Sequence, residues 1–339
     1  MTSRTNTGAD TGTRARPAVV ALGGGHGLAA SLAALRRVTS AVTAVVTVAD
    51  DGGSSGRLRQ ELGALPPGDL RMALGALAAK EGATGGVWAT LLQHRFGGEG
   101  PLAGHPVGNL MISGLEQTLG DPVAALDAMA ALLGVRPASR VLPVSCTPMD
   151  LVAEVVGLDP ADPGRAVRVQ GQVAIATTAG HVVTVSPLPA EPLACPEALT
   201  AVLDADWVVL GPGSWFTSVL PHLMVPALSK ALTSTAARRL VVLNLAPQTG
   251  ETRDLSPADH LEVLAAHSPD LPLDLVLADS AAPGRPELRR VAAGIGVQLV
   301  VAPVAASDGT ARHDPGRLAA AYAEIFRTAA TSPGVNPWR

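Results

Sequence analysis

The chain has 339 residues, 47% of them hydrophobic, and a formal net charge of −4 at pH 7. That length and apolar content suffice for a large buried core. The weak negative charge excludes a general field that would attract nucleic acid or an anionic membrane. Aromatic residues make up only 2% of the chain, too few for a stacking track along a single strand. We therefore expect a small-molecule ligand and no nucleic-acid partner.

The cysteines and the polar N-terminal segment predict a cytoplasmic protein. Cys146 and Cys195 are the only cysteines; two free thiols fit a reducing compartment better than one disulfide does, although their number leaves both readings open. Residues 1–16 lack the apolar segment of a signal peptide, and we expect flexible tails at 1–16 and 331–339. An uncharged run over 207–229 contains Gly and Pro, which predicts a strand, a turn and a helix rather than a membrane span.

The first elements predict a nucleotide-binding unit. An apolar run over 17–22 predicts a buried parallel strand. A glycine loop follows at Gly23–Gly27, then leucines at helical spacing over 28–38 and a second predicted strand over 43–49. In such a βαβ unit the glycines let the backbone approach a phosphate at the helix N-terminus. A tight turn without a ligand is the alternative, because Leu28 stands where a third Gly or Ala is expected.

Two acids and a Gly/Ser run follow the second strand. Asp50 and Asp51 repel each other unless a cation, a pair of ribose hydroxyls or an arginine neutralises them. The run Gly52–Arg57 can direct several backbone N–H groups toward one phosphate. The acids are also compatible with Mg²⁺ carried by a bound diphosphate. We expect no other cofactor, and the spacings of histidine and cysteine predict no zinc site.

An insertion and an excursion interrupt the α/β pattern. Residues 57–134 predict helices that cover the site, with Asp69 capping one helix and Asn109 either contacting a ligand or capping a turn. Short segments over 151–190, including a strand over 173–177, predict a small antiparallel sheet. The fold class is therefore α/β. We expect one Rossmann-like domain over 17–330, with a mostly parallel sheet and helices on both faces.

Ligands of open α/β sheets bind outside the carboxyl ends of the strands, and four loops are predicted to lie there. Trp215 and Phe216, in the third loop, either stack on a base or anchor the core. No general acid or base stands out: only Asp50 and Asp51 are candidates, and Asp259 and His260 point about 100° apart on a helix. The candidate nucleotide- or sugar-binding residues are Gly23, Gly24, Gly25, His26, Gly27, Asp50, Asp51, Gly52, Gly53, Ser54, Ser55, Arg57, Asp69, Asn109, Gly211, Gly213, Ser214, Thr217, Ser218, Asn244, Gly250, Glu251 and Thr252.

Several segments together resemble a known family. They are ALGGGHGL, VTVADDGGSSGRLR, LPPGDLR, HPVGNLM, GPGSWFTSVLP and NLAPQTGET. This set resembles the YvcK-type gluconeogenesis factors, which are related to 2-phospho-L-lactate transferase in the CofD-like superfamily. The resemblance runs from Val19 to Phe326.

The resemblance implies a Rossmann-like fold and a cytoplasmic, nucleotide-sugar-binding regulator. It implies UDP-N-acetylglucosamine as the ligand and a role in cell shape and envelope precursor supply during gluconeogenic growth. It implies no established reaction. The transferase relatives use a guanosine diphosphate ester and Mg²⁺, so the alternative is a Mg²⁺-dependent transferase of a nucleotide-diphosphate-linked group. The form of Gly52–Arg57 resembles the regulators. A dinucleotide ligand and a homo-oligomer remain compatible with the sequence.

Overall fold

The computed structural model describes residues 16–78, 83–248, 252 and 255–330. The predicted tails, apart from residue 16, lie outside the described residues, as do Gly250 and Glu251. Within the described part, no helix combines the length and the apolar character needed to cross a membrane.

The strands alternate with helices along most of the chain. In chain order the strands are β1 (Val19–Gly23), β2 (Val42–Val46), β3 (Arg140–Pro143), β4 (Asp150–Val156), β5 (Val167–Gln170), β6 (His181–Leu188), β7 (Trp207–Leu210), β8 (Arg238–Val242), β9 (Leu275–Asp279) and β10 (Gln298–Ala302). The α-helices are α1 (Gly25–Val38), α2 (Gly53–Leu62), α3 (Pro67–Leu77), α4 (Ala83–Gln93), α5 (Val107–Leu119), α6 (Pro122–Leu132), α7 (Gln172–Ala176), α8 (Pro196–Leu203), α9 (Pro226–Ser234), α10 (Pro257–His267), α11 (Arg285–Gly294) and α12 (Pro315–Ala330).

The central sheet is parallel. Among the described residues it has seven strands in the order β10-β9-β8-β7-β1-β2-β3. Helices cover both of its faces, which is why the middle strands are continuous apolar runs: every residue of β1 and β7 is buried. The edge strand β10 is only partly buried. The α/β class and the mostly parallel sheet are confirmed.

The excursion forms a separate antiparallel sheet, in the order β5-β4-β6. Its existence is confirmed, but the strand predicted over 173–177 is wrong, because the helix α7 occupies that position. The helix follows Gly171, whose φ of 101° suits glycine and turns the chain out of β5. The β-branched residues there had favoured a strand by composition.

Two local boundaries differ from expectation near the second strand. Strand β2 ends at Val46, and α2 begins at Gly53, so most of the Gly/Ser run forms the first turn of a helix and not a loop before it. Asp69 does not cap α3: Pro66 is the N-cap and Pro67 the first helical residue, which puts Asp69 third in the first turn. Carboxylates are favoured there as well.

Candidate functional site

The strand order reverses between β1 and β7. From this adjacent pair the sheet grows toward β3 on one side and toward β10 on the other. Such a reversal opens a crevice at the carboxyl ends of the strands, where open α/β sheets bind their ligands. The loops after β1 and β7 form the two banks of this crevice. We call it the switch-point crevice.

The two banks touch at Gly27. A Cβ on Gly27 would lie 2.3 Å from the carbonyl oxygen of Pro212 and 2.8 Å from Cα of Gly213. Only glycine fits so close to another backbone. The two glycine loops, distant in sequence, therefore form one continuous backbone surface.

Gly24 brings a third and a fourth segment to the crevice. A Cβ there would lie 2.4 Å from Oδ2 of Asp69, 2.8 Å from Cγ2 of Thr47 and 3.3 Å from Oγ of Ser218. The next residue, Gly25, has φ of 60° and nothing within 4 Å of its Cβ position. The predicted neighbours His26 and Gly53 are exposed, and Gly53 also has open space beside it.

Asp50 and Asp69 form the acidic part of the site. Asp69 is 8% exposed and accepts a hydrogen bond from the Gly25 backbone. Burial and the negative charge of Asp50 raise the pKa of Asp69 from 3.8 to about 7, although that hydrogen bond and Arg71 oppose the shift. Asp50 accepts a hydrogen bond from Gly52 N at 3.0 Å. Among the described residues, no group of three acidic, histidine or cysteine side chains forms a metal site.

Asp51 is held by the start of helix α7, which lies between strands β5 and β6. Its Oδ1 accepts a hydrogen bond from Val173 N at 2.9 Å, and its Oδ2 lies 2.2 Å from where a Cβ of Gly171 would be. Next to Val173, Gln172 Nε2 donates to Thr217 O at 3.2 Å. Helix α7 therefore ties the acidic loop to the loop after β7. The two adjacent acids therefore have different hydrogen-bond partners.

A buried chain of hydrogen bonds supports the first turn of α2. Arg71 Nε donates to Asn109 Oδ1 at 2.8 Å, and Asn109 Nδ2 donates to Ser54 Oγ at 3.0 Å. Arginine carries only donors, so it fixes which end of the Asn109 amide faces Ser54. Ser54 Oγ is also hydrogen-bonded to His105 Nδ1, 2.7 Å away. Burial lowers the pKa of His105, as does the charge of Arg57, which favours the neutral ring.

These hydrogen bonds bear on the two roles that the sequence allows for Asn109, ligand contact and turn capping. The residue is 1% exposed, and the N-cap of α5 is Pro106. Asn109 therefore caps no turn; it orders the serine next to the acidic loop. Arg71 and His105 were not among the sequence candidates, although each adjoins a candidate in the segments LPPGDLR and HPVGNLM. Burial lowers the pKa of Arg71 to about 10, with the charge of Arg95 adding to the effect.

Other predicted residues hold loops in place. Arg57 donates to the carbonyl oxygens of Pro101 and Ala103, and Ser55 Oγ accepts from Gly68 N at 3.0 Å. Asn244 clasps the second glycine loop: its Oδ1 accepts from Gly213 N at 3.0 Å and its Nδ2 donates to Gly213 O at 2.7 Å. These contacts fix the shape of the crevice.

The loop after β7 is folded back on itself. Ser214 Oγ is hydrogen-bonded to Thr217 Oγ1, and a short π-helical turn spans Trp215–Val219. Trp215 and Phe216 are 0% and 3% exposed. Such burial fits side chains that anchor the core and does not fit side chains that stack on a base.

Asn244 and Thr252 are the candidate residues of the fourth predicted loop that the structure describes. Thr252 is buried, and its Oγ1 accepts a hydrogen bond from Gln248 N at 2.9 Å. Asp259 belongs to a capping box with Ser256, which begins α10 as its sequence predicts. His260 Nδ1 hydrogen-bonds Ser256 O, so Asp259 and His260 form no catalytic dyad.

Removing the central amide of the buried chain should weaken the fold. Asn109→Ala leaves the Arg71 and Ser54 groups without their shared partner, and we expect a loss of about 2–4 kcal/mol of unfolding free energy. Urea unfolding measures this, with Gln117→Ala, an exposed position on the same helix, as the control. An Asn109→Ala protein as stable as the control would show that the chain is not coupled to the fold.

The comparisons with known proteins agree with this architecture. Residues 19–309 match the family model described as 2-phospho-L-lactate transferase CofD. A putative gluconeogenesis factor of Mycobacterium tuberculosis is 55% identical over 306 residues, covering 89% of this chain and 88% of the relative. A gluconeogenesis factor of Listeria innocua is 37% identical over 252 residues, covering 74% of each chain.

The fold has a counterpart among solved structures. A crystal structure of a UPF0052 family protein from Bacillus halodurans is similar with a TM-score of 0.80 and 32% sequence identity, covering 90% of this chain and 98% of that one. The family model, the relatives and the solved structure agree on the family of this chain. The chain belongs to the CofD family and, within it, to the group of YvcK-type gluconeogenesis factors.

Proposed function

We propose that the switch-point crevice binds a nucleotide sugar resembling UDP-N-acetylglucosamine. The observation that carries the proposal is the contact of two glycine loops at Gly27 and Pro212, each leading into a helical segment, beside the carboxylates of Asp50 and Asp69. Backbone N–H groups at helix N-termini suit a diphosphate. Carboxylates suit ribose or sugar hydroxyls. A dinucleotide would use the same features. The binding experiment below therefore compares ligands that carry different bases.

Asp50 and Asp69 are the residues that would hold Mg²⁺ if the ligand brings it. The sequence suggested Asp50 and Asp51, but Asp51 is engaged by Val173 N. Mg²⁺ commonly binds through one or two carboxylates together with phosphate oxygens and water. The cation would neutralise the two carboxylates and the diphosphate charge at once.

We infer a regulatory role without turnover, in the cytoplasm. The chain's relatives carry the name gluconeogenesis factor, and a role in cell shape and envelope precursor supply during growth on gluconeogenic carbon is part of the proposal. Two titratable side chains that the sequence brings into question have structural roles: Asp259 belongs to a helix cap, and His105 faces Ser54 inside the insertion. A homo-oligomer is compatible with this role.

Titration calorimetry with UDP-N-acetylglucosamine, UDP, GDP and NAD, each with and without Mg²⁺, tests the ligand class. We expect binding of the uridine nucleotides, and Asp50→Ala should weaken it at least about tenfold, which corresponds to about 1.4 kcal/mol of lost charge-assisted hydrogen bonding. The exposed Asp270 provides the matched control, Asp270→Ala. Binding of no uridine nucleotide would exclude the proposal. Equal affinities of Asp50→Ala and the control would remove Asp50 from the site.

The alternative function is a Mg²⁺-dependent transferase of a nucleotide-diphosphate-linked group. It is favoured by the family model, whose description names a transferase, and by the Asp50–Asp69 pair. Incubation with GDP- and UDP-linked donors, Mg²⁺ and hydroxy-acid acceptors, followed by mass spectrometry, decides between the two. A transferred product that needs Asp50 would replace the regulatory reading.

A further inference from the structure

The antiparallel sheet joins the main sheet through two neighbouring chain segments. Residues 144–149 lead out from β3, and residues 189–195 lead back to α8; we call these two segments the neck. Cys195 N donates to Val144 O at 3.0 Å, which pairs the two segments side by side. The neck is the covalent attachment of a sheet whose helix α7 contacts the acidic loop of the crevice.

The two cysteines of the chain meet at this neck. Cys146 lies in the outgoing segment and Cys195 in the returning one, and both thiols are free. A hydrogen bond joins the two thiols. Cys195 is fully buried, and Glu197 Oε2, 3.2 Å from its Sγ, is a second acceptor for its single thiol proton. Cys146 is only half-buried and is the more exposed of the two cysteines.

The surroundings give the two thiols different chemistry. The hydrogen bond with Cys195 lowers the pKa of Cys146, against the opposing effects of burial and of the acidic neighbours Glu197, Asp121 and Glu116. The same hydrogen bond raises the pKa of Cys195, and burial raises it further. The thiolate is the reactive form of cysteine, so Cys146 is the attacking thiol and Cys195 the resolving one.

We propose that Cys146 and Cys195 form a reversible disulfide that closes the neck when the protein meets a low-molecular-weight disulfide such as oxidised glutathione. This site lies outside the switch-point crevice and does not depend on the proposed ligand.

The reaction balances as two successive thiol–disulfide exchanges. The Cys146 thiolate attacks one sulfur of oxidised glutathione, forming a mixed disulfide and releasing one glutathione thiolate. Cys195 then gives its proton to the carboxylate of Glu197, and its sulfur attacks Sγ of Cys146. The second glutathione leaves as a thiolate that takes up a proton. Two protein thiols are oxidised and one glutathione disulfide is reduced to two thiols.

Closing the neck restricts the chain between the two cysteines. A cross-link removes conformations from the unfolded state, and it does so more strongly for a long enclosed segment. That segment contains the whole antiparallel sheet and helix α7. In α7, Gln172 and Val173 contact the crevice loops. The oxidised protein should therefore unfold at a higher temperature than the reduced one.

Intact-mass spectrometry of the full chain tests the proposal. The folded protein is incubated with oxidised glutathione and alkylated with N-ethylmaleimide under denaturing conditions. We expect the loss of two hydrogen atoms, about 2 Da, no alkylation, reversal by dithiothreitol and a melting temperature raised by several degrees. Two alkylated thiols, a stable glutathione adduct, a disulfide-linked dimer or an unchanged melting temperature would each overturn it.

Two single variants separate the roles of the thiols. Cys195→Ser should stop at a stable glutathione adduct on Cys146, whereas Cys146→Ser should acquire no adduct while folded, because Cys195 is buried. An adduct on Cys195 in the folded Cys146→Ser protein would contradict the assignment. If Cys195→Ser does not fold, Cys195→Ala serves the same purpose.

Discussion

Gly27→Ala is expected to abolish ligand binding and to destabilise the fold. The added Cβ would lie 2.3 Å from the Pro212 carbonyl oxygen, and both partners belong to backbones that the sheet holds in place. Relief requires the loops after β1 and β7 to separate. We expect a cost of about 1–3 kcal/mol, the usual range for overpacking, and loss of measurable affinity because the continuous backbone surface is broken.

Gly114→Ala is the matched control for this experiment. Gly114 lies inside α5 with open space at its Cβ position, so the same substitution should be neutral or stabilise the helix by up to about 1 kcal/mol. Chemical unfolding and titration calorimetry are measured on both variants. If Gly27→Ala binds as the wild-type protein does, the contact between the two banks plays no part in recognition.

Asp69→Asn is expected to stabilise the ligand-free protein while it weakens binding. The pKa of Asp69 is about 7 in the folded chain and near 3.8 in the unfolded one. The unfolded state therefore releases its proton first as pH rises, and the folded state loses stability between about pH 4 and pH 7. Above that window the charged, buried carboxylate costs of the order of 4 kcal/mol. The asparagine amide avoids this cost, and its oxygen can still accept the hydrogen bond from Gly25.

The size of this effect depends on pH, which makes it specific. Asp69→Asn should match the wild-type protein near pH 4 and exceed it in unfolding free energy at pH 8, whereas Asp270→Asn should match it at both. Ligand affinity measured with Mg²⁺ at pH 8 should fall, because the amide carries no negative charge. A variant less stable than the wild-type protein at pH 8 would contradict the account of Asp69.

The sequence predicted the glycine loops well because their signals are local. An apolar strand, a glycine loop and a helical leucine pattern are read within a few residues of each other, and Ser256–Pro257 marks the start of α10 in the same way. The grouping of four loops at one edge follows from a general rule for parallel sheets. The order of the strands places Gly27 against Pro212. This order depends on packing between distant segments, so no single segment predicts it.

The misplaced features have specific physical reasons. Val173–Thr177 is rich in residues that favour strands, but Gly171 turns the chain, and Asp51, far away in sequence, accepts the hydrogen bond of Val173 N. Asp69 is a residue type that favours helix caps, but Pro67 takes the first helical position and places Asp69 inside the first turn. The partners of Asn109 come from α2 and α3, so no local pattern could have distinguished its two readings.

The central claim is that one ligand spans both banks of the switch-point crevice. Hydrogen–deuterium exchange of the full chain, with and without saturating UDP-N-acetylglucosamine and Mg²⁺, tests it most directly. We predict added protection in peptides covering 23–28, 50–57 and 211–218, because the ligand would cover those backbones. Protection on one bank alone, at another surface, or nowhere would contradict the account.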